Sequence, residues 1–406
     1  MLRQYNEIKS KYDNCILFFR LGDFYEMFYD DARVASPILD VVLTSRGSDA
    51  TKKVPMCGIP FHAADSYISR LIKAGHKVAI CEQVEDPAEA KGIVKRGVVR
   101  VITSGTYIDE SANDPRYIVA LNADNKNYGI AVSETTSGTI QTGQYSSKEM
   151  LVSALSKLPV YECVYPETSE KIIKDVFSHP LIKTKKITLT PFEDWCFNSD
   201  IAKKNLTEHF AVHNLHGFGI EDKPLSVSTA GGLLEYLRTM NKTPMRHIDR
   251  ISLFTDTDRM LISPAACYGL ELEELYRVID FTKTSMGKRK LRGWVYSPLK
   301  NVEDITKRQD AVLTLKENPK MRGELERLLS RVPDIEKSIT KISCGTASAK
   351  DMLALRNTLS IVPDIRQAVL SYMEHNLLFA IRDNEALRAL LEKAINPDLP
   401  VSNPDG

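Results

Sequence analysis

The feature that most constrains this chain is a change of hydrophobic period near residue 228. Before it, apolar residues come in short runs rich in β-branched and aromatic side chains. Examples are Ile16-Leu17-Phe18-Phe19, Val78-Ala79-Ile80-Cys81, Tyr117-Ile118-Val119-Ala120-Leu121 and Tyr128-Gly129-Ile130-Ala131-Val132. Runs of this length bounded by turn residues predict buried strands. Helical spacing separates them at 28–39, 63–74 (closed by Gly75), 149–158 and 169–177. After residue 228, apolar residues recur at three and four over 230–240, 270–279, 286–295, 302–316, 321–329 and 351–359. The expected fold is multidomain α/β plus all-α. Two N-terminal mixed α/β domains, 1–110 and 114–225, precede a helical core (lever) region, 228–406. Asn113-Asp114-Pro115 marks the first boundary.

Several local expectations follow from residue chemistry. Val41-Val42-Leu43-Thr44 is strand-like, and the two prolines and glycine of Pro55-Met56-Cys57-Gly58-Ile59-Pro60 suggest a turn. The alternation over 94–102 around Gly97 suggests a hairpin. Pro37 should interrupt the 28–39 helix, and Pro298, Pro319, Pro333 and Pro363 should punctuate the later ones. Residues 396–406, with Pro397, Pro400 and Pro404, show no helical pattern.

Composition narrows the class without choosing a function. Apolar content of 43% and charged content of 26% are ordinary for a globular protein. No apolar run reaches the ~18 residues of a membrane span. The N-terminus is polar, without the apolar core of a secretory signal. Seven scattered cysteines with no CxxC pair argue against a disulfide framework or a structural zinc site, so a cytoplasmic location is expected. The net charge of +1, from 54 basic and 53 acidic residues, gives no global sign of a nucleic-acid binder. Any DNA contact must rest on local charge or on wedging.

Motifs for catalysis are mostly missing. Gly92 and Gly97 have the Walker A separation, but Val98 stands where lysine is needed. There is no GxSxG and no HExxH. His209, His213 and His216 could share a helix face but lack a following acid, and a packed or solvated helix end explains them. Gly217-Phe218-Gly219 starts a GxGxxG without its third glycine and reads as a loop. Asp30-Asp31 and Glu85-Asp86 could hold a nuclease metal, although adjacent carboxylates are usually just solvated.

One constellation stands out: Leu21-Gly22-Asp23-Phe24-Tyr25-Glu26-Met27-Phe28-Tyr29, with four aromatics in six residues. Phe24 and Phe28 are i, i+4, so a helix starting here would place them on one side and make them core. Glu26 would then be an acid near a helix N-terminus. Lys91, Lys95, Arg96 and Arg100 form a basic stretch without an acid. It fits either a phosphate contact or a solvated hairpin face.

The run Gly22-Asp23-Phe24-Tyr25-Glu26-Met27-Phe28 resembles the GDFYE(L/M)F signature of the mismatch-recognition domain of the MutS family. Tyr29-Asp30-Asp31-Ala32, Leu43-Thr44-Ser45-Arg46-Gly47, the segment Pro55 to Ala63 and Val78-Ala79-Ile80-Cys81-Glu82-Gln83 are similar to that family in the same order. Tyr128-Gly129-Ile130-Ala131 with Glu134-Thr135-Thr136-Ser137-Gly138 resembles its connector domain, with Glu134 where aspartate is usual. Leu215-His216-Gly217-Phe218-Gly219 with the segment Ala230 to Leu237 resembles the passage into the core. The segment Thr282 to Trp294 resembles the core's T-x-T-x-M-G-x-R-x-L-R-x-W. The link near Glu273 is shorter than the family's.

That resemblance implies that Phe24 enters the minor groove and stacks on a mispaired base, that Glu26 bonds to that base, and that Arg46 and Met56 lie near the DNA. Lys95 and Arg96 are the candidate phosphate contacts. The implied partner is double-stranded DNA with mismatches or small loops. The clamp and ATPase domains of such proteins have no counterpart motif here, so this chain should bind no cofactor and hydrolyse no ATP on its own. The intact protein would use ATP and Mg2+, form a homodimer around DNA and recruit a MutL-type protein through the connector. Two other readings remain open: a junction binder of the same family without mismatch specificity, and a nuclease using the paired acids.

Overall fold

Strand pairing begins at Cys15, where the first apolar run starts. In this computed structural model the described residues are 1–46, 53–85, 94–109, 115–124, 126–254, 259–260, 262, 264–370 and 381–396. Gly47, Asp86, Lys91, Gly92, Asn113-Asp114 and residues 397–406 lie outside them. The first unit runs α1 (Leu2–Lys9), β1 (Cys15–Leu21), β2 (Phe24–Phe28), α2 (Tyr29–Leu39), β3 (Thr44–Arg46), β4 (Val54–Pro60), α3 (Ala64–Lys73), β5 (Lys77–Gln83) and β6 (Arg96–Ile102). Its strands form one mixed sheet in the order β3-β4-β2-β1-β5-β6, with β1 parallel to β5. Tyr25, Met27, Ile59, Ile80 and Phe18 face α2 and α3 on one side. Leu17, Phe19, Phe28 and Ala79 pack against Tyr5 of α1 on the other. Asp31 ties these parts together. It is buried, and it accepts from the Tyr5 hydroxyl at 2.7 Å, the Leu17 amide at 3.0 Å and the Lys9 ammonium at 2.8 Å. Only Asp30 of that acidic pair is solvated.

Three local expectations are corrected here. Residues 55–60 are not a turn but most of β4, which lies between β2 and β3. The two prolines fall at the strand's margins, one opposite the short β3 and one at the terminus, where a missing N–H removes little pairing. Residues 41–43 are not a strand, and pairing starts only at Thr44, because Val42 and Leu43 face solvent. Pro37 sits in the last turn of α2 without ending it.

The second unit runs β7 (Tyr117–Ala123), β8 (Tyr128–Glu134), β9 (Thr139–Tyr145), α4 (Lys148–Ser156), β10 (Val160–Pro166), α5 (Glu170–Phe177), α6 (Pro180–Lys183), β11 (Thr188–Phe192), α7 (Ser199–Phe210), α8 (Pro224–Asn241) and β12 (Arg250–Leu253). Its mixed sheet has the order β11-β10-β7-β8-β9-β12. Leu151, Leu155, Ile173 and Val176 of α4 and α5 cover one face. Ala230, Leu233, Leu234 and Leu237 of α8, backed by α7, cover the other. A Cβ at Gly231 would come within 2.4 Å of Ala202 Cβ, so this glycine sets how closely α7 and α8 approach. The helical period at 230–240 therefore belongs to this unit. The unit passes the expected limit of 225 and includes β12, which pairs with β9.

The remainder is helical: α9 (Pro264–Gly269), α10 (Leu272–Ile279), α11 (Ser285–Tyr296), α12 (Val302–Glu317), α13 (Pro319–Leu329), α14 (Ile335–Ser343), α15 (Ala349–Leu370) and α16 (Glu385–Ala394). Its small core joins Met321, Leu325 and Leu328 of α13 to Ile361 and Ile365 of α15. Pro363 lies inside α15 and does not end it. The two N-terminal units thus mix strands and helices, and the C-terminal part is helical, as the periodicity implied. No helix among the described residues is long and apolar enough to cross a membrane. All seven cysteines are free.

Candidate nucleic-acid interface

The aromatic run is a strand. Leu21 pairs with Phe24, so Gly22 and Asp23 form a two-residue hairpin loop, and Gly22 takes φ +57° at its first position. The helical reading of this segment is therefore corrected: the relevant period is two. Phe24 and Glu26 share one face with Phe28, while Tyr25 and Met27 point to the other. Phe24 is 47% exposed, against 6% for Tyr25 and 0% for Met27 and Phe28. Helix α1 covers the Phe28 end of that face and leaves the Phe24 end open. Tyr25 stays in the core, where its ring lies 5.7 Å from Phe18 and its hydroxyl donates to Glu82.

Across the sheet, Phe24 faces Pro60, Glu26 faces Gly58, Phe28 faces Met56, and Met56 faces Thr44. These residues, with Arg46, lie on one surface. Arg46 Nη1 reaches Glu26 Oε2 at 3.2 Å, across the gap left by Gly58. Burial raises the Glu26 carboxyl above its usual range, and the Arg46 charge only partly offsets that. The Glu26 side chain is therefore held ready while Arg46 remains half exposed. Met56 is partly buried and packs under α1.

Two further residues complete the corner. Arg20 Nε donates to the Gly22 carbonyl at 2.5 Å, and its guanidinium lies 3.6 Å from the Phe61 ring centroid. The Phe61 amide donates to the Asp23 carbonyl at 2.9 Å. Phe61 is 38% exposed beside Phe24. Nothing in the periodicity singles out Arg20 or Phe61; only the pairing of β2 with β4 brings them to the loop.

The basic candidates divide. Lys95 is exposed and makes no ion pair with the described residues. Arg96 turns inward: Nε donates to the Arg20 carbonyl at 2.6 Å, Nη1 donates to Val94 O at 2.8 Å, and the guanidinium lies 5.1 Å from the Phe19 ring. It braces β6 against β1 and is not available to a phosphate in this arrangement. Arg100 is likewise turned to the Thr106 carbonyl. His209 is engaged by the Ile248 carbonyl at 2.7 Å and by Arg238 at 2.8 Å, a packing role.

A chain of two α/β units and a helical part, with an aromatic and a carboxylate presented together at an open sheet corner, is the class defined by this geometry. The models of MutS domain I, domain II and domain III match residues 1–111, 116–249 and 257–406 in turn. The chain is 37% identical over 334 residues to the DNA mismatch repair protein MutS of Alkaliphilus oremlandii, covering 78% of this chain and 38% of that protein. It is 40% identical over 342 residues to the protein of the same name from Symbiobacterium thermophilum, covering 79% and 38%. For Lachnoclostridium phytofermentans the figures are 39% over 333 residues, 78% and 35%. The chain belongs to the MutS family. It spans a little over a third of the length of these relatives.

Proposed function

We propose that this chain is the DNA-reading part of a mismatch-repair protein and recognises mispaired or small-loop duplex DNA through Phe24 and Glu26. The observation that carries this is the exposure of Phe24 on the same strand face as Glu26, at the one uncovered end of an otherwise buried strand. An apolar ring entering the minor groove unstacks a base step at a cost of a few kcal/mol and kinks the duplex. A mispair has already lost part of its stacking and pairing, so deforming it costs less. Recognition is then a reading of deformability that tolerates many mispairs.

Glu26 reads the exposed base edge. Its carboxyl is already raised by burial, and a ring inserted beside it excludes more water. That favours the protonated form, which donates to a base acceptor without repelling the phosphates. Arg46 neutralises Glu26 in the free chain and turns to a phosphate on DNA. Lys95 adds a sequence-independent phosphate contact, and Met56 supports the strand under Glu26. In the intact protein, ATP with Mg2+, a homodimeric clamp around DNA and a MutL-type partner at the second unit complete the repair function.

Fluorescence anisotropy of labelled G·T, one-base-loop and matched duplexes at low salt tests the reading. The two defective duplexes bind more tightly, and Phe24→Ala binds all three alike. Equal affinity of the wild-type chain for all three overturns it.

A further inference from the structure

A wide cleft lies away from the Phe24 corner, between the second unit's sheet and α11. Its volume is about 560 Å³, within the usual range for a small-molecule site. Tyr117, Trp294 and Tyr296 bring aromatic surface to its wall, and Lys157, Lys290 and Arg259 bring positive charge. No carboxylate occurs among its described lining residues. Arg289 and Arg292 also reach the wall, but their charge is matched. Arg289 pairs with Glu134 at 3.2 Å and Asp334 at 2.7 Å, and Arg292 pairs with Glu273 at 2.9 Å.

The other cations are different. Among the described residues Lys157 and Lys290 make no ion pair, and the Arg259 side chain donates to the Ser297 carbonyl at 2.9 Å. Behind Trp294 stands Arg308, its guanidinium 3.7 Å from the indole ring. Arg308 is partly desolvated and also feels the like charge of Arg259, and together these outweigh the pull of Asp304 and lower its pKa. Like charges crowded around one aromatic wall raise a positive potential that an anion relieves. Aromatic planes beside such charges suit a flat heterocycle carrying a phosphate.

We infer that this cleft is a binding site for a nucleoside phosphate, with the phosphate held by Lys157, Lys290 and Arg259 and the base set against the Tyr117, Trp294 and Tyr296 wall. The site is separate from the Phe24 corner and does not depend on the DNA reading. A ligand there bridges the second unit and the helical region, so it also stiffens their junction.

The chain has two tryptophans, so Trp195→Phe leaves Trp294 as the sole reporter. Titrating that 406-residue variant with adenosine 5′-monophosphate gives a saturable change in indole fluorescence with one site per chain. Adenosine alone and inorganic phosphate alone bind at least about tenfold more weakly, and Lys157→Ala and Lys290→Ala each weaken the nucleotide by about tenfold or more. Rising salt weakens binding in the unmutated background, a check that does not depend on how the lysine variants fold. Phe24→Ala leaves the titration unchanged. No saturable change, equal binding of phosphate alone, or full affinity in the folded double lysine variant overturns the inference.

Discussion

Glu26 and Glu162 are both strand glutamates in six-stranded mixed sheets, and the two sheets treat them in opposite ways. Glu162, on β10, is fully buried. It accepts from the Gly105 amide at 2.9 Å, from the Thr103 and Thr190 hydroxyls at 2.5 and 2.6 Å and from the Tyr236 hydroxyl at 2.7 Å. Four neutral donors from the inter-unit segment, β11 and α8 converge on one carboxylate, and all its bonding capacity is used inside the protein. Among the described residues Glu26 has one partner, Arg46, and no described helix covers its corner. A carboxylate that closes its own network holds a junction together. One with unused acceptors beside an exposed ring is placed for something outside the chain.

The largest effect is expected at the closed site. Glu162→Leu leaves buried donors without an acceptor and should destabilise the chain by about 3 kcal/mol or more in urea unfolding. A loss below about 1 kcal/mol would break the contrast. Arg96→Ala should cost about 1–2 kcal/mol of stability through its lost carbonyl bonds. Its DNA affinity at a temperature where it remains folded should be nearly unchanged.

A smaller effect is expected from Glu134 at the junction with α11 and α14. Burial pushes its carboxyl up to about 7, against the pull of Arg289, while Asp334 on the same guanidinium is held below its usual range. A raised folded-state pKa means that the ionised form is disfavoured by the fold. As pH falls through 7 towards the ordinary glutamate value, the folded chain takes up a proton that the unfolded chain does not, and stability rises. Wild type should therefore gain on Glu134→Gln by on the order of 1 kcal/mol per pH unit between pH 7 and 5 in thermal or urea unfolding. Parallel pH profiles would show that Glu134 remains ionised beside Arg289. The smallest effect is expected for Lys95→Ala: a few-fold weakening shared by matched and mismatched duplexes, a salt slope shallower by about one, and unchanged stability.

The gross architecture was legible because short apolar runs and three-four spacing report burial directly. The second boundary was not, since α8 has helical spacing whether it covers a sheet or joins a bundle; only Gly231 against Ala202 and the β9–β12 pairing assign it. Residues 55–60 were misread because turn chemistry and a proline-tolerant strand margin look alike in one dimension. At the candidate interface the side chains were legible and their geometry was not. Four aromatics within six residues fit a helix as well as a strand, and only the two-residue loop at Gly22 sets the period that separates Phe24 from Tyr25. Lys95 and Arg96 are neighbours with opposite orientations, which a count of charges cannot reveal.

The central claim is that Phe24 enters the stack at a defective step, and a fluorescent base tests it directly. With 2-aminopurine placed beside a G·T mispair or a single unpaired base, saturating wild-type chain should raise the fluorescence as the step unstacks. Matched duplex should show little change, and Phe24→Ala, still folded, should show little change on any duplex. An equal rise with Phe24→Ala, or none with bound wild type, would contradict the account.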